Sequence, residues 1–202
     1  DIGCSYDGPT WHVSTTGSDN NNGSESYPFA TIQRGIDVSS DGDTVLAQAG
    51  TYFENLNLNG KAIHIIGSNS DNTIIDGGQN GSVVKAEDLI EGFAKIKGFT
   101  IQNGSGTDGG WTDISGTVGG GLFIKYNNVH LEDLVIKDNT ANDGGGAFMY
   151  SSDIDQGDLS ILNVHFLNNT ALDNAGRSAL AYQISQQSLS VINCEFQDNS
   201  SS

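Results

Sequence analysis

The chain has 202 residues, with 25 Asp and Glu against 8 Lys and Arg, a formal net charge of −17 at pH 7 and a sequence pI near 4.1. Such an acidic balance excludes association with nucleic acid or an anionic bilayer unless cations bridge the two, and no apolar run approaches the ~20 residues of a membrane span. The length suits one β-rich domain with a real core, and two cysteines, Cys4 and Cys194, are too few for a disulfide framework.

No signal peptide is present, as expected if Asp1 is a mature terminus or the start of an excised piece. Trp11 to Ser14 reads as a short strand, followed by the polar loop TTGSDNNNGSES. Within that loop, Asp19 to Gly23 places oxygen donors at alternate positions before a glycine, a partial likeness to the start of a calcium loop. The bidentate Glu of such loops is missing. Two expectations stand here: calcium held by Asp19 and Asn21, or an Asx-turn loop. From Tyr27 to Val38, Phe29, Ile32, Ile36 and Val38 recur at helical spacing and Pro28 suits a first helical position. This predicts an amphipathic helix that caps the first of a series of stacked layers. Residues 1–43 are thus a strand, a loop and a capping helix, and 44–202 are the layers of the same single domain.

Asp41-Gly42-Asp43 turns the chain into a first layer, Thr44 to Leu58. Ala62 to Lys85, Ile96 to Ile124, Leu131 to Met149 and Ile161 to Tyr182 come next, and Val191 to Phe196 begins a sixth. The later layers are near copies: KIKGFTIQNGSG from Lys95, HLEDLVIKDNTA from His130, SILNVHFLNNTA from Ser160 and SVINCEFQDNSS from Ser190, at separations of 35, 30 and 30. A fixed period of this size marks a stacked repeat. Superposition gives three apolar columns: Ile96, Leu131, Ile161, Val191; Phe99, Leu134, Val164, Cys194; and Ile101, Ile136, Phe166, Phe196. The spacing is that of strands with one irregular step, so the fold is all-β, a single-stranded parallel β-helix of about six coils. Thr100, Val135, His165 and Glu195 take the alternate, outward slot. Asn139, Asn169 and Asn199 should form a structural ladder on a left-handed backbone. Cys194 reads as a small buried hydrophobe, and Cys4 lies too far along the stack to bridge to it. Ser105 to Val118, with Asp108, Trp111 and Asp113, is an insertion expected to emerge as a loop.

The motifs VSTTGSDNNNG, PFATIQ, DGDTV, GTYFEN and GKAIHIIG between Trp11 and Gly67, with the later GGGLFI and DNTANDGGGAF, resemble the right-handed parallel β-helix proteins of the pectin-lyase-like superfamily. The N-terminal run is most similar to secreted bacterial members with a DUF1565-type start, among them family 9 polysaccharide lyases. The resemblance implies secretion to the extracellular space or cell surface. It leaves activity open, because that superfamily holds lyases, hydrolases, epimerases, esterases and proteins without known chemistry.

A lyase on this scaffold needs a carboxylate cluster beside a Lys or Arg base. The outward slots offer Lys97, Glu132, Lys137, His165 and Glu195 over several layers, with His165 and Glu195 as a solvated pair, and Arg177 replaces a glycine of the other repeats. No catalytic residue is assigned. The expectation is a non-catalytic extracellular module for adhesion, carbohydrate contact or assembly. The alternative is a carbohydrate-active, polysaccharide-lyase-like enzyme, or the N-terminal part of one. Trp111, Tyr150 and Tyr182 are the candidate carbohydrate contacts for a polysaccharide or cell-surface glycan. Laying AFMY (147–150) on ALAY (179–182) aligns the two tyrosines into an outward strip, with Phe148 assigned to the core. No amphipathic segment follows Phe196, so the last layer is expected to meet either further layers or a neighbouring chain in an end-to-end filament.

Overall fold

The computed structural model describes residues 9–88, 92–110, 116–125, 128–151, 158–173, 176–184 and 188–201. Cys4, Trp111 and Asp113 lie outside them. The first coil holds β1 (Thr10–Val13) and α1 (Ile32–Val38), and the second β2 (Thr44–Ala47), β3 (Gly50–Phe53) and β4 (Leu56–Asn57). The third holds β5 (His64–Gly67), β6 (Thr73–Asp76) and β7 (Val84–Glu87). The fourth runs β8 (Ala94–Lys97), β9 (Thr100–Gln102), the insertion strands β10 (Thr107–Asp108) and β11 (Thr117–Val118), then β12 (Leu122–Lys125). The fifth has β13 (Val129–Lys137), β14 (Thr140–Ala141) and β15 (Ala147–Ser151), and the sixth β16 (Asp158–Leu167), β17 (Thr170–Ala171) and β18 (Leu180–Ile184). The last comprises β19 (Ser188–Ile192), β20 (Glu195–Gln197) and β21 (Ser200–Ser201).

Every coil-to-coil pairing is parallel, and the inward columns match the repeat register: Leu131 lies between Ile96 and Ile161, and Ile136 between Ile101 and Phe166. These side chains are almost fully buried, so each contributes about 1.5–3 kcal/mol of apolar burial. β1 is itself the first rung, paired residue for residue with β2.

The irregular step in the repeat is a corner made by one left-handed residue. Gly98, Asp133, Asn163 and Asn193 have φ of 75°, 52°, 54° and 52°, a region that only Gly and the short Asx side chains enter cheaply. A second such column, Asn103, Asp138, Asn168 and Asp198, makes the next corner. The left-handed residue therefore precedes Asn139, Asn169 and Asn199 rather than being one of them. The amide ladder itself is present: Asn139 Nδ2 donates to Asn169 Oδ1 (3.1 Å) and Asn169 Nδ2 to Asn199 Oδ1 (3.0 Å). Asn139 and Asn169 are fully buried, so the ladder satisfies groups that water cannot reach.

The helix is shorter than its apolar spacing predicts. Phe29 is in extended backbone, bridged to Val13, and Thr31 rather than the residue before Pro28 is the N-cap, accepting from Arg34 N. Ile32 and Ile36 face the stack and α1 packs on β1, β2 and β4, closing that end. Thr100, expected outward, is buried, its hydroxyl donating to the Ser70 carbonyl. Cys194 is half-buried, packed against the central core.

The third side of the coil, β4-β7-β12-β15-β18, has apolar residues on both faces. Phe123 and Phe148 point out of the stack and form a second cluster with Val118 and Ala181, against which Tyr150 rests. Val118, near the end of the insertion, is part of this cluster. Phe148 is buried as expected, but outside the central core. Gly120 sits where coils nearly touch: a Cβ there would lie 2.3 Å from the Gly145 carbonyl oxygen.

Candidate functional site

The outward face of β5, β8 and β13 gathers the greatest concentration of chemistry. Parallel pairing places His64 beside Lys95 and Lys95 beside His130 in one column, and Lys97 beside Glu132 in the next. Neighbouring rungs lie ~4.8 Å apart, so these groups interact directly. Phe93, immediately before β8, fills the gap above Lys95: its ring centroid is 5.2 Å from that of His64 and 4.8 Å from that of His130. The ring remains 42% exposed, which leaves an aromatic surface for a ligand. Beside it opens a cleft of about 430 Å³ lined by Asp41, Gly42, Ala62, His64, Gly92 and Phe93, within the size range of small-molecule sites.

Charge is ordered across this face. Glu132 meets Lys97 Nζ at 2.5 Å and Lys95 Nζ at 3.4 Å, and Lys97 also reaches Asp133 at 3.2 Å. The hydrogen bond from Lys97, reinforced by its charge and by Lys95, holds the Glu132 carboxyl below its ordinary range despite partial burial. Asp133 is lowered too, first by the Asn163 amide and then by Lys97. These bonds in turn raise Lys97. Burial, with the nearby charges of Lys95 and His130, lowers His64, so its imidazole is neutral at pH 7 and offers one donor and one acceptor nitrogen. Asp133 also starts an outer amide ladder, accepting from Asn163 (2.9 Å), which accepts from Asn193 (2.7 Å).

The residues singled out from sequence are distributed differently. Lys97 and Glu132 come together here. Lys137 lies 3.8 Å from its neighbour Asp138, and His165 Nδ1 pairs with Glu195 at 3.2 Å, both half-exposed in solvent, where such pairs contribute little. Arg177 clasps Asp143 through its backbone N–H, Nε and Nη2. Burial pushes the Asp143 carboxyl up, but these bonds and the Arg177 charge outweigh it and leave it lowered. The pair ties two turns together.

The tyrosine strip does not form. Leu180, not Ala179, stands opposite Ala147, so Tyr182 pairs with Met149 and Tyr150 with Gln183. A one-residue offset puts the rings on opposite faces of the sheet. Tyr150 is outside, half-buried on the second cluster, whereas Tyr182 is on the inward side with Met149 and is 53% exposed. Trp111, the third candidate, is outside the described residues. In the polar loop, Asp19 Oδ1 accepts from Ala30 N and Thr31 N, Oδ2 accepts from the Thr31 hydroxyl, and Asn21 Nδ2 donates to the Pro28 carbonyl. These bonds fasten the loop to the helix start. No group of three or more His, Cys, Asp or Glu poised for a metal occurs among the described residues, and no helix among them is long and apolar enough to cross a membrane. His64, Phe93, Lys95 and His130 were not singled out from sequence.

No protein-family model matches the chain. It is 30% identical over 137 residues to the uncharacterized protein YwoF of Bacillus subtilis (strain 168), which spans 63% of this chain and 27% of that protein. Among solved structures it is similar to the native GH136 lacto-N-biosidase of Eubacterium ramulus, with a TM-score of 0.57 and 18% identity over 77% of this chain. The selenomethionine derivative of the same protein gives a TM-score of 0.50 and 20% identity over 93% of this chain. The chain spans about a third of the length of that neighbour (34%) and about a quarter of the curated relative. At these identities the structural likeness is one of fold.

Proposed function

We propose that the chain is the β-helical body, or part of the body, of a carbohydrate-active enzyme, and that its saccharide lies along the outward face of β5, β8 and β13. The observation that carries this is Phe93, an exposed ring flanked by His64 and His130 beside a cleft of about 430 Å³. The ring supplies a flat apolar surface for a sugar face, and the imidazoles and the Lys95, Lys97 and Glu132 cluster supply hydrogen bonds to hydroxyls. The structural neighbour, a lacto-N-biosidase by name, favours turnover over the non-catalytic module expected from sequence. The similarity of the N-terminal run to secreted β-helix proteins adds an extracellular location to this reading.

The test is calorimetric titration and product analysis with lacto-N-bioside-terminated oligosaccharides, polygalacturonate, alginate and chondroitin. At least one saccharide is expected to bind, and Phe93→Ala and His130→Ala to weaken it tenfold or more with the fold intact. Binding untouched by both substitutions, or no binding and no product from any substrate, refutes the assignment.

A further inference from the structure

We infer that His64 is the hydrogen-bond acceptor of the saccharide face and that Lys95, its neighbour in the column, is the positioning residue that keeps it one, so that the face releases its ligand in acid. The inference rests on the saccharide reading above and adds the regulation of that site.

Geometry singles out His64. Its ring lines the cleft of about 430 Å³ and leans on Phe93 at 5.2 Å. Among the described residues no group hydrogen-bonds to either of its ring nitrogens, so both face the cleft open to a ligand. Lys95 and Lys97 can only donate, and the Glu132 carboxylate is engaged by both of them. A sugar hydroxyl donates as well as accepts, and a neutral imidazole at the mouth of the cleft takes its proton side.

The charged groups around His64 fix how it answers to pH. From β8 come its register partner Lys95 and, one column over, Lys97; from β13 come His130 beyond Lys95, then Glu132 and Asp133. On the other side β2 presents Thr44, and the turn ahead of it Asp41 and Asp43. The Asp41 carboxylate accepts from Ala62 N, and that of Asp43 from Trp11 Nε1 and Ser40 N. Lys61 is turned to the helix, its Nζ donating to the Ile36 and Asp37 carbonyls. Burial first, then Lys95 and His130, lower His64 in spite of the acidic turn. Ligand hydroxyl and proton then compete for one nitrogen, so binding lowers His64 further and affinity falls as pH falls. Glu132 and Asp133 are themselves held low and stay ionised over the same range.

Proton NMR of the free chain, and calorimetry with a neutral lacto-N-bioside-terminated oligosaccharide, both from about pH 8 to about pH 5, test this in separate arms. In the free chain Lys95→Met is expected to move the His64 midpoint up and Lys95→Arg to leave it in place. The oligosaccharide is expected to bind with a Kd that rises about tenfold per pH unit below that midpoint, and saturation to move the midpoint down. Lys95→Met should carry the loss of affinity to higher pH, whereas Lys95→Arg keeps the original profile. His64→Asn, whose amide accepts at every pH, should bind more weakly at pH 8 but with a flatter profile. A Kd indifferent to pH, a His64→Asn profile as steep as that of the unaltered chain, or a His64 midpoint unmoved by Lys95→Met overturns the inference and leaves the saccharide reading standing. No binding of the neutral oligosaccharide at any pH also overturns it, and the saccharide reading falls with it only if the charged polymers fail to bind as well.

Discussion

Asn169→Ala tests whether the inner ladder holds the coils together or merely decorates them. Asn169 makes four side-chain hydrogen bonds: Nδ2 donates to the Ile136 carbonyl (2.8 Å) and to Asn199 Oδ1 (3.0 Å), and Oδ1 accepts from Asn139 N (3.2 Å) and Asn139 Nδ2 (3.1 Å). Truncation orphans the buried Asn139 N–H, at about 1–3 kcal/mol, and removes three further bonds at about 0.5–1.5 kcal/mol each. Partial collapse recovers some of this, giving an expected loss of about 4 kcal/mol. For a chain of this size that is a fall in Tm of about 8–16 °C. Asn163→Gly is the matched comparison. It removes a link of the outer ladder, which solvent reaches, and glycine accepts the left-handed backbone at φ 54° without strain, so its cost should stay within about 1 kcal/mol. Urea unfolding read by far-ultraviolet circular dichroism, with equal m-values for both variants, measures the difference. Equal destabilisation by the two substitutions would refute the argument that burial, not the amide ladder itself, sets the energy.

Phe166→Ala should cost about 3–5 kcal/mol and His165→Ala almost nothing, because adjacent residues point to opposite sides of one strand; denaturant midpoints decide. Gly120→Ala should destabilise by about 3 kcal/mol, since the new methyl meets a backbone oxygen that cannot swing away; a stabilised variant would contradict the coil spacing. In proton NMR titrations His64 should titrate below its ordinary 6.5, and Phe93→Ala should move it back up by relieving burial. A base whose folded value is lowered binds fewer protons folded than unfolded, so its contribution is whole above about 6.5 and fades as pH falls through the lowered value. Asp19→Ala should lower stability by about 1–2 kcal/mol through loss of its bonds to the helix start, equally in calcium and in chelator; a cost seen only with calcium would favour the metal reading of the loop over the Asx-turn reading.

The core was readable because the three units from His130 onward are equal in length, so Leu131, Ile161 and Val191 superpose without gaps. The helix start was misread because Phe29 satisfies helical spacing by chance: its burial comes from the bridge to Val13 and from Trp11, whose ring lies 6.0 Å away. The tyrosine strip failed for a related reason. The path from Asn169 to Leu180 is three residues longer than that from Asn139 to Ala147, so matching alanines across it misplaces the register by one. The candidate site was hidden by unequal coils. His64, Lys95 and His130 stand 31 and 35 residues apart, and no constant period brings them into one column. Phe93 stands just before β8 rather than within it, where no alternation marks a side chain as outward.

The equal spacing of Asn139, Asn169 and Asn199 also bears on how such a chain can change its size. Excising residues 140–169 would join Asn139 to Thr170, a residue that pairs directly with the Thr140 it replaces. Every corner, ladder amide and inward column would then meet an equivalent partner one coil further on. Duplication of the same tract would be as conservative, adding one rung of ~4.8 Å. Unequal recombination within this region is therefore a nearly neutral event for folding. Rod length can drift by whole coils between lineages, while the face formed by His64, Phe93 and His130, built from coils of unequal length, stays unaltered upstream.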